Sequence, residues 1–112
     1  MAEIKTFSKT LAALEGYRQF KRISKDTVAK DVTIHWPAGC NALVSVAVFH
    51  GPKQFCPRQG ALALDGATPT YGNLNEPLFA NEELWVEFQN GDSVNEHSIT
   101  VTVIIEDEGV EN

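Results

Sequence analysis

Hydrophobic spacing along this chain of 112 residues changes once, near position 30. Before it, Leu11, Leu14, Tyr17, Phe20 and Ile23 recur every third residue, with Lys9, Arg18, Lys21, Arg22 and Lys25 among them. The pattern predicts an amphipathic helix over 8–25 with Ser8 as its N-cap. Spacing by three drifts around a 3.6-residue turn, and Gly16 costs up to about 1 kcal/mol inside a helix. An extended arm with one or two helical turns is therefore the alternative for this stretch.

Beyond Asp31 the period becomes two. Val32, Ile34 and Trp36 share one face of a strand that Pro37-Ala38-Gly39 ends. The valine-rich run from Ala42 to Phe49 predicts a strand covered on both faces, stopped by His50-Gly51-Pro52. Short strands are expected over 53–57, 60–64 and 69–71, with a turn at Asp65-Gly66. Leu84, Val86 and Phe88 alternate with Trp85, Glu87 and Gln89, and Asn90-Gly91-Asp92 turns the chain into Ile99, Val101, Val103 and Ile105. Seven or eight short strands with no helix between them predict an antiparallel β-sandwich or jelly roll. The expected division is a basic N-terminal arm over 1–30 and a β-sandwich domain over 31–112.

Charge sharpens that division. The net charge is −6, yet residues 1–30 carry +4 and residues 31–112 carry −10. A cationic arm reaching the acidic body of a neighbouring copy gains electrostatic complementarity, which favours encounter and register. Leu11, Leu14, Tyr17, Arg18, Phe20, Lys21, Arg22 and Ile23 are then the candidate partner-binding residues of the arm, and an arm-less chain is expected to keep its β fold but lose assembly. Nucleic acid is not an expected partner, because the acidic body repels phosphates. No apolar run approaches the roughly 20 residues of a membrane helix, and the N-terminus lacks the layout of a signal peptide. The chain is expected to be made inside a cell, with no membrane partner.

Candidate chemistry is sparse. His35, Cys40, His50, Cys56 and His97 match no compact zinc spacing, and there is no His-x-His pair. Ser45 and Ser98 lie outside any Gly-x-Ser-x-Gly elbow, no glycine-rich phosphate loop is present, and Glu82-Glu83 and 106–108 read as solvated charge. Neither an enzyme, a cofactor nor a metal is expected. Cys40 and Cys56 allow one disulfide worth about 3 kcal/mol in the chain-entropy model, or two small, partly buried thiols in a reducing compartment. Trp36 shares its face with core residues. Trp85 sits on the polar face of its strand, and with Tyr71 it is a possible surface contact: an anchor for a protein partner, or a platform for a sugar ring with Asn73, Asn75 and Asn90 nearby.

The element order from Asp31 to Glu106 resembles small β-sandwich structural proteins of tailed bacteriophages and related virions. The resemblance rests on Trp36-Pro37-Ala38-Gly39 after the first strand, then Leu43-Val44-Ser45-Val46, Pro57, Leu64-Asp65, and Asn90-Gly91-Asp92 followed by Glu96-His97-Ser98-Ile99-Thr100-Val101. It covers about two-thirds of the chain, and residues 1–30 have no counterpart in it. It implies a capsid decoration or cement protein working in many copies, with itself and a major capsid or other virion protein as partners. Its place would be the virion, assembled in the host cytoplasm. A carbohydrate-binding β-sandwich module is the alternative.

Overall fold

Alternating side chains draw the backbone into nine strands in the computed structural model, which describes residues 2–107. They are β1 (Ala2–Leu11), β2 (Gly16–Arg22), β3 (Thr27–His35), β4 (Val44–His50), β5 (Lys53–Cys56), β6 (Thr70–Tyr71), β7 (Glu76–Leu78), β8 (Glu83–Asn90) and β9 (His97–Asp107). Every pairing is antiparallel. One sheet runs β1-β9-β3-β6, with β7 on the same edge of β3, and the other runs β2-β8-β4-β5. The chain is an all-β sandwich. Between the sheets lie the inward rows Val32 and Ile34, Val44, Val46 and Val48, Leu84, Val86 and Phe88, and Ile99, Val101 and Val103, all fully buried. Trp36 belongs to this core, and its indole N–H donates to the Val44 carbonyl at 2.9 Å.

The N-terminal arm and its helix are not there. Residues 8–25 are the end of β1, a turn, all of β2 and the start of the next loop. Leu14 occupies the turn with φ 61°, its amide donating to the Asp92 carbonyl at 3.0 Å. The every-third-residue spacing is thus two strands read through a turn. Thr6, Phe7, Thr10, Tyr17 and Phe20 are strand formers, and full ladders on β9 and β8 outweigh the local helical pattern. Phe7, Leu11 and Ile23 are core residues at 0%, 0% and 1% exposure, so the boundary at residue 30 also fails. That position lies inside β3, where a bulge between Ala29 and Asp31 shifts the register. Of the remaining strands, β7 escapes prediction because it is three residues long around Pro77, which an edge strand tolerates. The 60–64 segment forms only a bridge between Val46 and Leu62.

The charge asymmetry folds back on its own chain. Arg18 pairs with Glu87 at 3.4 Å, Arg22 with Glu83 at 3.7 Å and Lys25 with Asp107 at 3.0 Å. Basic N-terminal residues thus meet the acidic part intramolecularly, in exposed pairs worth up to about 1 kcal/mol each. Lys9 and Lys21 point toward the open side of the sandwich. Lys9 Nζ lies 4.4 Å from the Tyr17 ring centre and Lys21 Nζ 5.6 Å from that of Phe7, while the Gln19 amide oxygen accepts from the Ser8 N–H at 3.2 Å. Inward lysines and a capped amide guard the β1 and β2 edges against pairing with another strand.

Candidate functional site

The outer face of the four-stranded sheet carries a stack of three rings. Register places Phe20 of β2 beside Trp85 of β8, and Trp85 beside Phe49 of β4, all on the side opposite the core rows. Trp85 and Phe49 stack at 4.0 Å between centres and 8°, Phe20 and Trp85 at 5.2 Å and 26°. The indole N–H of Trp85 donates to the Gly51 carbonyl at 2.8 Å, which fixes the central ring. Arg18 lies 5.5 Å from that ring, close enough for a cation–π contact, and its pairing with Glu87 and that of Arg22 with Glu83 put charge beside the rings. Phe20 is half exposed. The arrangement has apolar rings at its centre and hydrogen-bonding charge around them.

Sequence-predicted residues distribute unevenly over this geometry. Arg18, Phe20, Arg22 and Trp85 come together on the face, whereas Leu11 and Ile23 are core, Leu14 is in the turn, and Tyr17 and Lys21 face the open side of the sandwich. Tyr71 is on the other sheet, half-buried against the core, where burial and the neighbouring Cys56 raise its phenol pKa. It cannot share a ligand with Trp85. Phe49 and Phe20 both stack on the Trp85 ring, so a sugar would have to share that ring with two phenylalanines. Asn90 is fully buried and donates to the Leu11, Ala12 and Asn95 carbonyls, so it too is unavailable. Phe49 is the residue that the sequence reading missed. Ser45, four residues before it on the same face of β4, is the signal that this side of the strand is not wholly covered.

The histidines are all held by polar partners. His97 donates from Nε2 to Asp92 at 2.9 Å; with amide donors from Val94 and Asn95, this holds the Asp92 carboxyl far below the usual range. His35 meets the Thr68 hydroxyl at 2.8 Å. His50 is buried between two carboxylates, Glu76 at 2.7 Å from Nε2 and Glu82 at 3.0 Å from Nδ1, and Lys53 reaches Glu76 at 2.8 Å. Glu82 is therefore not the solvated loop charge that its neighbour Glu83 suggested. Among the described residues, no group of three or more His, Cys, Asp or Glu side chains is placed to hold a metal ion.

Cys40 and Cys56 are free, buried thiols. Burial pushes the Cys56 thiol up to about 11, and burial together with the nearby Asp65 carboxylate raises that of Cys40. The thiolate is the reactive form, so the folded protein is expected to resist a disulfide reagent at pH 8 and to release two thiols rapidly in denaturant. Fast reaction in the native state would contradict the buried placement.

No family model and no curated protein matches the sequence. Among solved structures, a crystal structure of FLHE is similar at 15% identity and TM-score 0.48, over 94% of this chain and 97% of that one. A structure of infectious bursal disease virus, Gx strain, is similar at 8% identity and TM-score 0.33, over 96% of this chain and 33% of that one. At these scores the likeness carries no argument about function.

Proposed function

We propose that this chain is a non-enzymatic structural protein of a virion, present in many copies. It is a decoration or cement subunit that docks on a neighbouring shell protein through the outer face of its four-stranded sheet. The observation that carries this reading is the Phe49, Trp85 and Phe20 stack with its Arg and Glu neighbours. An N-terminal arm no longer enters the argument, because those residues are strands. Its arginines lie on β2 and its acids on β8. The virion resemblance makes the partner a shell protein, although a two-fold axis along the strands between β2 and β8 would also set Arg18 over Glu87 and Arg22 over Glu83 of a second copy.

The test uses particles from the source culture, stripped of the chain and incubated with purified wild-type protein or Phe20→Glu. Wild type is expected to sediment saturably with the particles, and Phe20→Glu to bind at least about tenfold more weakly, since a buried unpaired charge at a contact centre costs more than 1.4 kcal/mol. Particles that never contain the chain, or equal binding by both proteins, would overturn the reading.

A further inference from the structure

The outer face of the five-stranded sheet is of opposite character. Thr6, Thr102, Thr33 and Thr70 stand in register across β1, β9, β3 and β6 as one row of four threonines. The next row is Ser8, Thr100 and His35, and the one after it Thr10 and Ser98. Neighbouring hydroxyls lie within hydrogen-bond distance, at 2.8 Å for Thr33 and Thr70 and 2.7 Å for Thr10 and Ser98. These rows contain no Asp, Glu, Lys or Arg. The row on the other side of the threonines is Ile4, Ile104 and Asp31, with Ile4 61% exposed, and Glu106 follows beyond it, so only the hydroxyl rows are free of charge.

We infer that this hydroxyl face is the contact between two copies of the chain, a two-fold dimer distinct from the docking face proposed above. A hydroxyl both donates and accepts, so a surface of threonines and serines is complementary to itself in a way that a face of fixed charges is not. The chain carries a net charge of −6, and copies repel wherever acids face each other. The charge-free rows are where two such molecules approach without that cost. Two sheets of the same twist also pack face to face at about −30°, which brings threonine methyls and the paired isoleucines together. The hydroxyl rows alone offer on the order of 300 Å² per copy, and the full length of the three long strands about 500 Å², from strand spacings of about 4.8 Å and rises of about 3.4 Å. Stable complexes bury about 800 Å² per partner, so the dimer is weak and concentration-dependent.

Sedimentation velocity of the full chain from about 10 µM to 1 mM tests this, across the affinity range expected for a small interface. A reversible monomer–dimer equilibrium is expected. Thr102→Lys, a charge set in the middle of the four-threonine row, should weaken it at least about tenfold, since a charge buried without a partner in a contact costs more than the 1.4 kcal/mol of a tenfold change. Thr102→Ser and Phe20→Glu should dimerise as wild type does, and thermal melts show that each variant is folded. A chain monomeric throughout, or a dimer indifferent to Thr102→Lys, overturns the inference. So does a monomer that binds an insoluble polysaccharide through Thr102, which assigns the face to a hydroxylated surface instead. Dimerisation lost only in Phe20→Glu places self-contact on the aromatic face, where Arg18 and Arg22 would meet Glu87 and Glu83 of the other copy, and overturns this inference. Because the assay needs no particle, its outcome is independent of whether the chain docks on a shell.

Discussion

A chain lacking residues 1–29 will not fold. The deletion removes β1 and β2 whole and the first residues of β3, so β9 and β8 each lose a full ladder and become open edges. It also strips Phe7, Leu11 and Ile23 from the core, all at most 1% exposed. Loss of large buried side chains costs about 2–5 kcal/mol each, and three such losses alone match the 5–15 kcal/mol by which a domain of this kind is stable. Asn90 adds to the damage, because its buried amide loses the Leu11 and Ala12 carbonyls that it donates to. The expected result is a truncated chain with no cooperative urea transition and weak strand signal in circular dichroism, recovered largely as aggregate. A truncated protein that melts cooperatively would mean that the first two strands are dispensable, as an arm would be.

That outcome reverses the expectation drawn from spacing and charge, for a physical reason. β8 and β9 were legible because one side of each faces the core, and Leu84, Val86 and Phe88 or Ile99, Val101 and Val103 then alternate without interruption. β1 and β2 lie at the sheet edges, where Lys9, Gln19 and Lys21 occupy inward positions and break the alternation. With their period of two disguised, the chance recurrence of Leu11, Leu14, Tyr17, Phe20 and Ile23 through a turn looked helical. The charge asymmetry misled in the same way. Opposite charges far apart in sequence suit a contact between copies or one within a copy, and only the register of β2 on β8 shows that Arg18 and Arg22 meet Glu87 and Glu83 at home.

The candidate site was half visible. Trp85 is legible from the alternation of its strand, and Phe20 and Arg18 from their spacing and charge, but their association with Phe49 depends on which strands are neighbours. Tyr71 was grouped with Trp85 only because both are aromatic; the topology puts them on different sheets. The row of threonines was likewise invisible one strand at a time, since its members come from four separate strands.

His50→Leu should be the most damaging single substitution in the polar interior. The imidazole joins β4 to Glu76 of β7 in the other sheet and to Glu82 in the loop before β8, with both ring nitrogens on carboxylates. Burial pushes the Glu76 carboxyl up, but the hydrogen bonds and charges of Lys53 and His50 outweigh it and hold the group below its ordinary value. Leucine keeps the volume and removes the partner, which leaves Glu76 buried with only Lys53 beside it. Leaving a buried carboxylate without one of its hydrogen-bond partners costs about 1–3 kcal/mol or more, a large share of the total stability. The loss depends on pH in a defined sense. A carboxyl whose folded value is depressed stabilises the fold above the unfolded value of about 4.3, and that contribution is lost as the pH falls through the folded value. In His50→Leu much of the depression is gone, so urea midpoints of wild type and variant should lie furthest apart near neutrality and converge below about pH 4. His50→Leu combined with Glu76→Leu should recover much of the deficit, because an apolar pair of similar volume leaves no stranded charge. A single variant as stable as wild type at pH 7, or a double variant worse than the sum of the singles, would show that the cluster does not tie the two sheets together.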